Sequence, residues 1–164
     1  MRILILSDTH IPVMASALPP QVIAEAKKVQ MCLHAGDFIA YSVFEELSSY
    51  VTTIGVSGNM DQDDIKQNLS QKEIIDAENI RIGLIHGGGA PRGLIPLIRN
   101  EFKKEWDSIN IFVFGHSHQA EEKKINGKTF FNPGSPVDTM FAAYKSYGIM
   151  EVNKSKISTK IVKI

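Results

Sequence analysis

The sequence predicts an α/β fold that becomes β-rich toward its C-terminal end, and three observations carry that expectation. Apolar runs at Arg2–Leu6, Val29–His34 and Val51–Val56 alternate with helix-like stretches at Gln21–Lys28 and Tyr41–Ser49, which is the order of a βαβαβ unit. From Ala120 onward, strand-like segments follow one another across turn residues. The apolar runs also stop at polar clusters rather than running into further periodic sequence, and open α/β sheets place functional loops at strand ends of this kind.

In chain order, Arg2–Leu6 is short and continuously apolar, as a strand buried on both faces should be. Pro12, Pro19 and Pro20 mark an irregular passage, and Pro20 suits the first turn of the helix over Gln21–Lys28. After the third strand, Glu73–Ala77 and Arg81–Ile85 are expected to pair across a two-residue break at Glu78-Asn79, which makes the sheet mixed. Gly87–Gly93 reads as a flexible loop, Leu94–Trp106 as a helix, and Ile109–Phe114 as a strand. Asn126-Gly127 supplies the positive φ angles of a type I′ turn between Ala120–Ile125 and Lys128–Phe131. Tyr147–Val152 and Ile157–Val162 form the last expected hairpin.

The chain's 164 residues and 43% hydrophobic content fit one domain, residues 1–164, with a sizeable core. Lys and Arg balance Asp and Glu at 18 each, so no overall positive field draws the chain to nucleic acid or anionic lipid. The single cysteine, Cys32, excludes an internal disulfide and reads as a small buried hydrophobe. The first residues do not resemble a signal peptide, and no apolar run is long enough to span a membrane, so a cytoplasmic location is expected.

The chemistry lies in the polar clusters. Phe114-Gly115-His116-Ser117-His118 puts two imidazoles behind an apolar run, and further donors follow other runs: Asp8 and His10, Asp37 in Gly36-Asp37, Asn59 in Gly58-Asn59, and His86 in Ile85-His86-Gly87. Each motif alone is an ordinary turn. Together they offer Asp, Asn and His at five strand ends, a set of oxygen and imidazole donors suited to two ions of Mn, Fe or Zn.

The order Asp-x-His, Gly-Asp, Gly-Asn, His and Gly-His-x-His resembles the calcineurin-like metallophosphoesterases over nearly the whole chain. Gly58-Asn59-Met60-Asp61 and Asn132-Pro133-Gly134-Ser135 further resemble the compact YfcE-like phosphodiesterases. This resemblance implies a four-layer αββα sandwich of two mixed sheets flanked by helices. It implies Asp8, His10 and His118 on one ion, Asn59, His86 and His116 on the other, and Asp37 bridging both. Two cations about 3.5–4 Å apart need such a shared anion. The implied activity is phosphodiester hydrolysis by a bridging hydroxide, with Asp37 and Asn59 central to catalysis and Mn the expected ion, Ni, Fe, Co and Zn being alternatives. The expected substrate is a small-molecule or nucleotide-like phosphodiester, with homo-oligomer formation left open.

Several positions refine that expectation. Relatives often carry His where this chain has Met60, and a thioether cannot protonate a leaving group. Asp61 is the weighed substitute. Gly88 replaces the second histidine of a frequent His-Gly-His. The loop Gly87–Arg92 lacks the Gly-Lys-Ser/Thr ending of a P-loop, and Asp61, Asp63 and Asp64 lack the glycine and final Glu of an EF-hand. Arg92 and Ser135 are candidate phosphate contacts, while His34 reads as a hydrogen-bonded strand-end residue rather than a ligand. The alternative to an enzyme is a scaffold on the same fold, because His10-Ile11-Pro12 and Ile82–Gly87 also resemble a retromer coat subunit whose ligands are partly replaced. A nucleic-acid exonuclease is disfavoured by the short, neutral chain.

Overall fold

The computed structural model describes residues 1–164. Two five-stranded mixed sheets pack face to face with helices on their outer surfaces. The first sheet contains β1 (Arg2–Leu6), β2 (Met31–His34), β3 (Thr53–Gly55), β9 (Ser146–Asn153) and β10 (Lys156–Lys163), in the order β10-β9-β1-β2-β3. Strands β1, β2 and β3 run parallel, and β9 joins β1 antiparallel. The second sheet contains β4 (Lys72–Ala77), β5 (Ile80–Ile85), β6 (Ile111–Val113), β7 (Glu121–Ile125) and β8 (Lys128–Asn132), in the order β4-β5-β6-β8-β7. Its central strands β5, β6 and β8 are parallel and its edges antiparallel.

Side-chain alternation explains the layering. Ile3 and Ile5 of β1 meet Ile82 and Leu84 of β5, Val113 of β6 and Phe131 of β8 between the sheets. Leu4 and Leu6 face the other way, onto α1 (Pro20–Ala26) and α2 (Tyr41–Tyr50), through Val22, Ala26, Val43 and Leu47. On the second sheet, Phe112 and Phe130 point outward to Ile98 of α4 (Leu94–Glu101) and to Phe102. A strand with apolar groups on both faces can be buried only in such a layered arrangement.

The Asn126-Gly127 hairpin forms with both residues at positive φ, and Ala77 pairs with Ile80 across the short break at Glu78-Asn79. Two local expectations change. The helix expected over Leu94–Trp106 stops at Glu101, because the chain turns there to set Phe102 against Phe112, with ring centroids 5.4 Å apart. A 3₁₀ turn at Trp106–Ser108 then returns Trp106 to the same ring at 4.9 Å. Packing overrides helical propensity here. An unexpected helix, α3 (Asp63–Asn68), carries Asp63 and Asp64 in its first turn, where their charges oppose the helix dipole, and anchors through buried Ile65. Cys32 is fully buried, and burial pushes its thiol pKa up. No helix is long and apolar enough to cross a membrane.

Candidate metal centre

The segments following β1, β2, β3, β5 and β6 meet at one end of the sandwich. Backbone hydrogen bonds join them: Asp8 N donates to Gly36 O, His10 N to Asp37 O, and Gly115 N to His86 O, at 3.0, 3.0 and 3.1 Å. Asp8, His10, Asp37, His116 and His118 all adopt positive φ, between 43° and 69°. Non-glycine residues avoid this region, so its concentration at one place marks a site whose side-chain directions are held by surrounding structure. Close backbone approach explains two glycines. A Cβ on Gly58 would collide with the Asp37 carboxylate, and one on Gly115 would collide with Ser7 Oγ.

The cluster has two halves. In one, His10 Nε2 and His118 Nε2 face each other at 3.1 Å, with Asp8 Oδ1 at 3.7 Å from the first and 3.4 Å from the second. In the other, Asn59 Oδ1 lies 3.1 Å from His86 Nε2 and 3.0 Å from His116 Nδ1. Asp37 Oδ2 stands between them, 3.6 Å from His10 Nε2 and 3.2 Å from His86 Nε2. Asp8 also joins Asp37 and His86 in a second compact donor group, so both carboxylates lie between the halves. Imidazole nitrogens and carboxylate oxygens converging this closely could hold cations among them, and the hard and borderline donors suit divalent metals. The residues therefore fit the ions that the sequence implies.

Neighbouring groups set the orientation of four of these donors. His86 Nδ1–H donates to Ala35 O at 2.7 Å, directing Nε2 into the cluster. Met60 N–H donates to Asp37 Oδ1 at 2.8 Å, and His116 N–H approaches both Asp8 oxygens at 3.1–3.2 Å. His118 Nδ1 meets Asp138 Oδ2 at 2.5 Å. Asp138 is buried and also accepts hydrogen bonds from the Met140, Phe141 and Ala142 amides. The sequence reading missed this residue. Its weak signal was a lone acidic residue shortly after Asn132-Pro133-Gly134-Ser135.

The two candidate substrate contacts take other places, and Asp61 gains a structural role. Ser135, a candidate substrate contact, is fully buried; its hydroxyl donates to Asp8 O at 2.7 Å and accepts from Asp138 N at 3.0 Å, so it braces the loops. Asp61, the weighed proton donor, is buried and accepts from the Asp37, Ile39 and Gly58 amides at 3.0, 2.7 and 2.7 Å. That geometry makes it a clamp on the Gly-Asp and Gly-Asn turns. Arg92 is exposed in the 3₁₀ turn Pro91–Gly93 and, unlike its neighbour Pro91, does not line the cleft over the cluster. His34 does take the expected structural place, accepting from Gly36 N at 3.2 Å, meeting Thr9 Oγ1 at 3.1 Å and stacking on Phe38 at 3.6 Å.

Charge in this pocket is balanced by proximity. Burial lowers the His86 pKa, but the Asp37 and Asp8 carboxylates outweigh it and raise the imidazole to about 9. Burial raises Asp37, yet His86, the Met60 amide and His10 leave it below the ordinary carboxylate value. Burial, reinforced by His86, holds His34 well below the usual histidine value. In the metal-free protein, His86 thus stabilises the fold fully below about pH 6.5 and loses that contribution as pH rises toward 9. His34 acts oppositely, because below about pH 6.5 the unfolded chain takes a proton that buried His34 refuses. The expected thermal stability of the metal-free protein, as governed by these two residues, peaks near pH 6.5. Melting curves from pH 5 to 9 on wild type, His86→Gln and His34→Gln check this: the first variant should flatten the alkaline limb and the second the acidic limb.

Two sheets that deliver carboxylates and imidazoles to one shared end define a scaffold with candidate metal-ligand groups. The chain belongs to the calcineurin-like phosphoesterase superfamily, whose domain matches residues 1–155. A probable metallophosphoesterase of Methanothermobacter thermautotrophicus is 29% identical, the match covering 99% of this chain and 92% of the relative. Another, from Methanocaldococcus jannaschii, is 33% identical over 83% of this chain and 68% of its own length. The crystal structure of Entamoeba histolytica Vps29 complexed with zinc shares the fold, with a TM-score of 0.78 and 24% identity over 100% of this chain and 98% of that one.

Proposed function

We propose that this protein is a divalent-metal-dependent phosphodiesterase with a two-ion centre. The convergence of Asp8, His10 and His118 with Asn59, His86 and His116 across Asp37 is the observation that carries the reading. Asp8, His10 and His118 would hold one ion, Asn59, His86 and His116 the other, and Asp37 would face both. When bound, the ions supply Lewis acidity toward water and the phosphoryl oxygens. Asp8 and Asp37 supply compensating negative charge, while Asp138 and Ala35 O fix the His118 and His86 rings. Mn is the ion to try first, followed by Ni, Co, Fe and Zn. The substrate reading is a small or nucleotide-like phosphodiester, and the place of action the cytoplasm.

The test is metal analysis combined with hydrolysis of bis(4-nitrophenyl) phosphate. Two ions per chain with metal-dependent turnover are expected. Failure to bind metal, with no turnover across the five ions, would overturn the reading. The scaffold alternative is favoured by the structural likeness to Vps29; metal binding without turnover of any diester would support it.

The cleft bears on leaving-group protonation. Met60 is 57% exposed at the cleft wall, and its side chain has no acidic proton. With Asp61 committed to three amides, rate should fall steeply as leaving-phenol pKa rises across aryl methyl phosphates. Met60→His should flatten that slope and accelerate the poorest leaving groups about tenfold, at unchanged metal occupancy. A shallow wild-type slope under chemistry-limited conditions would show that another acid is present.

A further inference from the structure

A cleft of about 380 Å³ opens over the cluster, with His10, Asp37, Asn59, His116 and His118 among its lining residues. Its other surfaces come largely from Val13, Met14, Met60, Pro91 and Phe141. The four most exposed of the chain's large hydrophobic side chains, Val13, Met60, Met140 and Phe141, lie in or beside this cleft. Val13 is 72% exposed and Phe141 62%, and the adjoining Met140 is 79% exposed. Apolar surface gathered beside polar donors is the pattern of a ligand site, whereas scattered exposed residues need no explanation.

Phe141 is held in this exposed position. Its amide donates to Asp138 at 3.2 Å, its carbonyl accepts from the Gln119 side chain, and its ring stands edge-on to His118 at a centroid distance of 5.9 Å. Met60 is likewise tied to the centre through its amide contact with Asp37. The same backbone contacts that place the donors therefore also place the apolar walls. No Lys or Arg lines this cleft, so it offers no side-chain cation for a second phosphate on that arm.

We propose that the cleft selects a phosphodiester with one uncharged, ring-sized apolar arm, packed against Phe141 and flanked by Met60 and Val13, while the phosphoryl group sits at the cluster. This substrate class rests on the phosphodiesterase reading above. An aromatic or alicyclic group matches the space and the uncharged walls; a polyanionic strand or nucleoside polyphosphate directed into this arm does not.

Calorimetry on the Mn²⁺-loaded protein with phenylphosphonate and methylphosphonate tests the proposal without requiring turnover. Phenylphosphonate should bind at least about tenfold more tightly than methylphosphonate, because ring burial adds apolar contact to a shared phosphoryl interaction. Phe141→Ala should reduce that preference to about twofold or less, whereas Phe141→Leu should retain part of it. Because Phe141 is exposed, the substitution leaves the buried core intact. Equal affinities in wild type, or a preference that survives in the Phe141→Ala/Met60→Ala double variant, would overturn the apolar-arm proposal alone. If neither phosphonate binds, the phosphoryl-site reading fails and the substrate proposal with it.

Discussion

Asp37→Ala should lower kcat/KM for an aryl phosphodiester by at least about a thousandfold, with loss of one bound ion, because its carboxylate faces both halves of the centre. Removing it leaves Asp8 as the one carboxylate shared by His10 and His86 and opens the Met60 amide contact. Asp37→Asn separates charge from shape: the amide oxygen can still accept from Met60 N, but the negative charge is gone. It should retain the fold and still lose most activity. His34→Ala provides the contrast, since this ring contacts Thr9, Gly36 and Phe38 rather than the donor cluster. It should cost about 2–3 kcal/mol of stability through its cavity and lost hydrogen bonds, while kcat/KM at saturating metal and low temperature changes less than about threefold. Equal activity losses in folded Asp37→Asn and His34→Ala proteins with equal metal occupancy would contradict the assigned roles.

The contrast between Asp37 and His34 also shows what could be read from the linear chain. Asp8, Asp37, Asn59, His86 and His116 were legible because each follows a recognisable apolar run, and parallel strands bring such endings to one side of a sheet. The sandwich itself was supplied by family resemblance; strand patterning alone indicated only an α/β beginning and a β-rich end. Ser135 was misread because Pro-Gly-Ser has the composition of an exposed turn. Its burial follows from Asp8 O and the Asp138 amide arriving from distant sequence positions to satisfy its hydroxyl. The clamping role of Asp61 was equally hidden, since only the folded chain brings three amides to its carboxylate. Helix α3 carries one buried apolar residue in six, too little for a periodic signal.

Asp138 offered only the weak signal of a lone acidic residue, and substitution there should expose its dependence on the fold. Its carboxylate joins the His118 ring to a turn containing Met140, Phe141 and Ala142. Burial raises its pKa, but the Met140 amide, His118 and the Phe141 amide outweigh that effect and hold it below the ordinary carboxylate value. The charged acceptor therefore keeps His118 Nδ1 protonated and turns Nε2 toward Asp8 and His10. Asp138→Ala should weaken metal at the Asp8–His10–His118 half about 10–100-fold, while the Asn59–His86–His116 half changes much less. Asp138→Asn should lie between wild type and Ala, because its neutral amide oxygen still accepts from the ring but polarises it less. Stepwise metal titration followed by histidine ring nitrogen NMR distinguishes the halves, and added metal should restore much of the lost activity. A fall in melting temperature with unchanged affinity at both halves would assign Asp138 to loop stability alone.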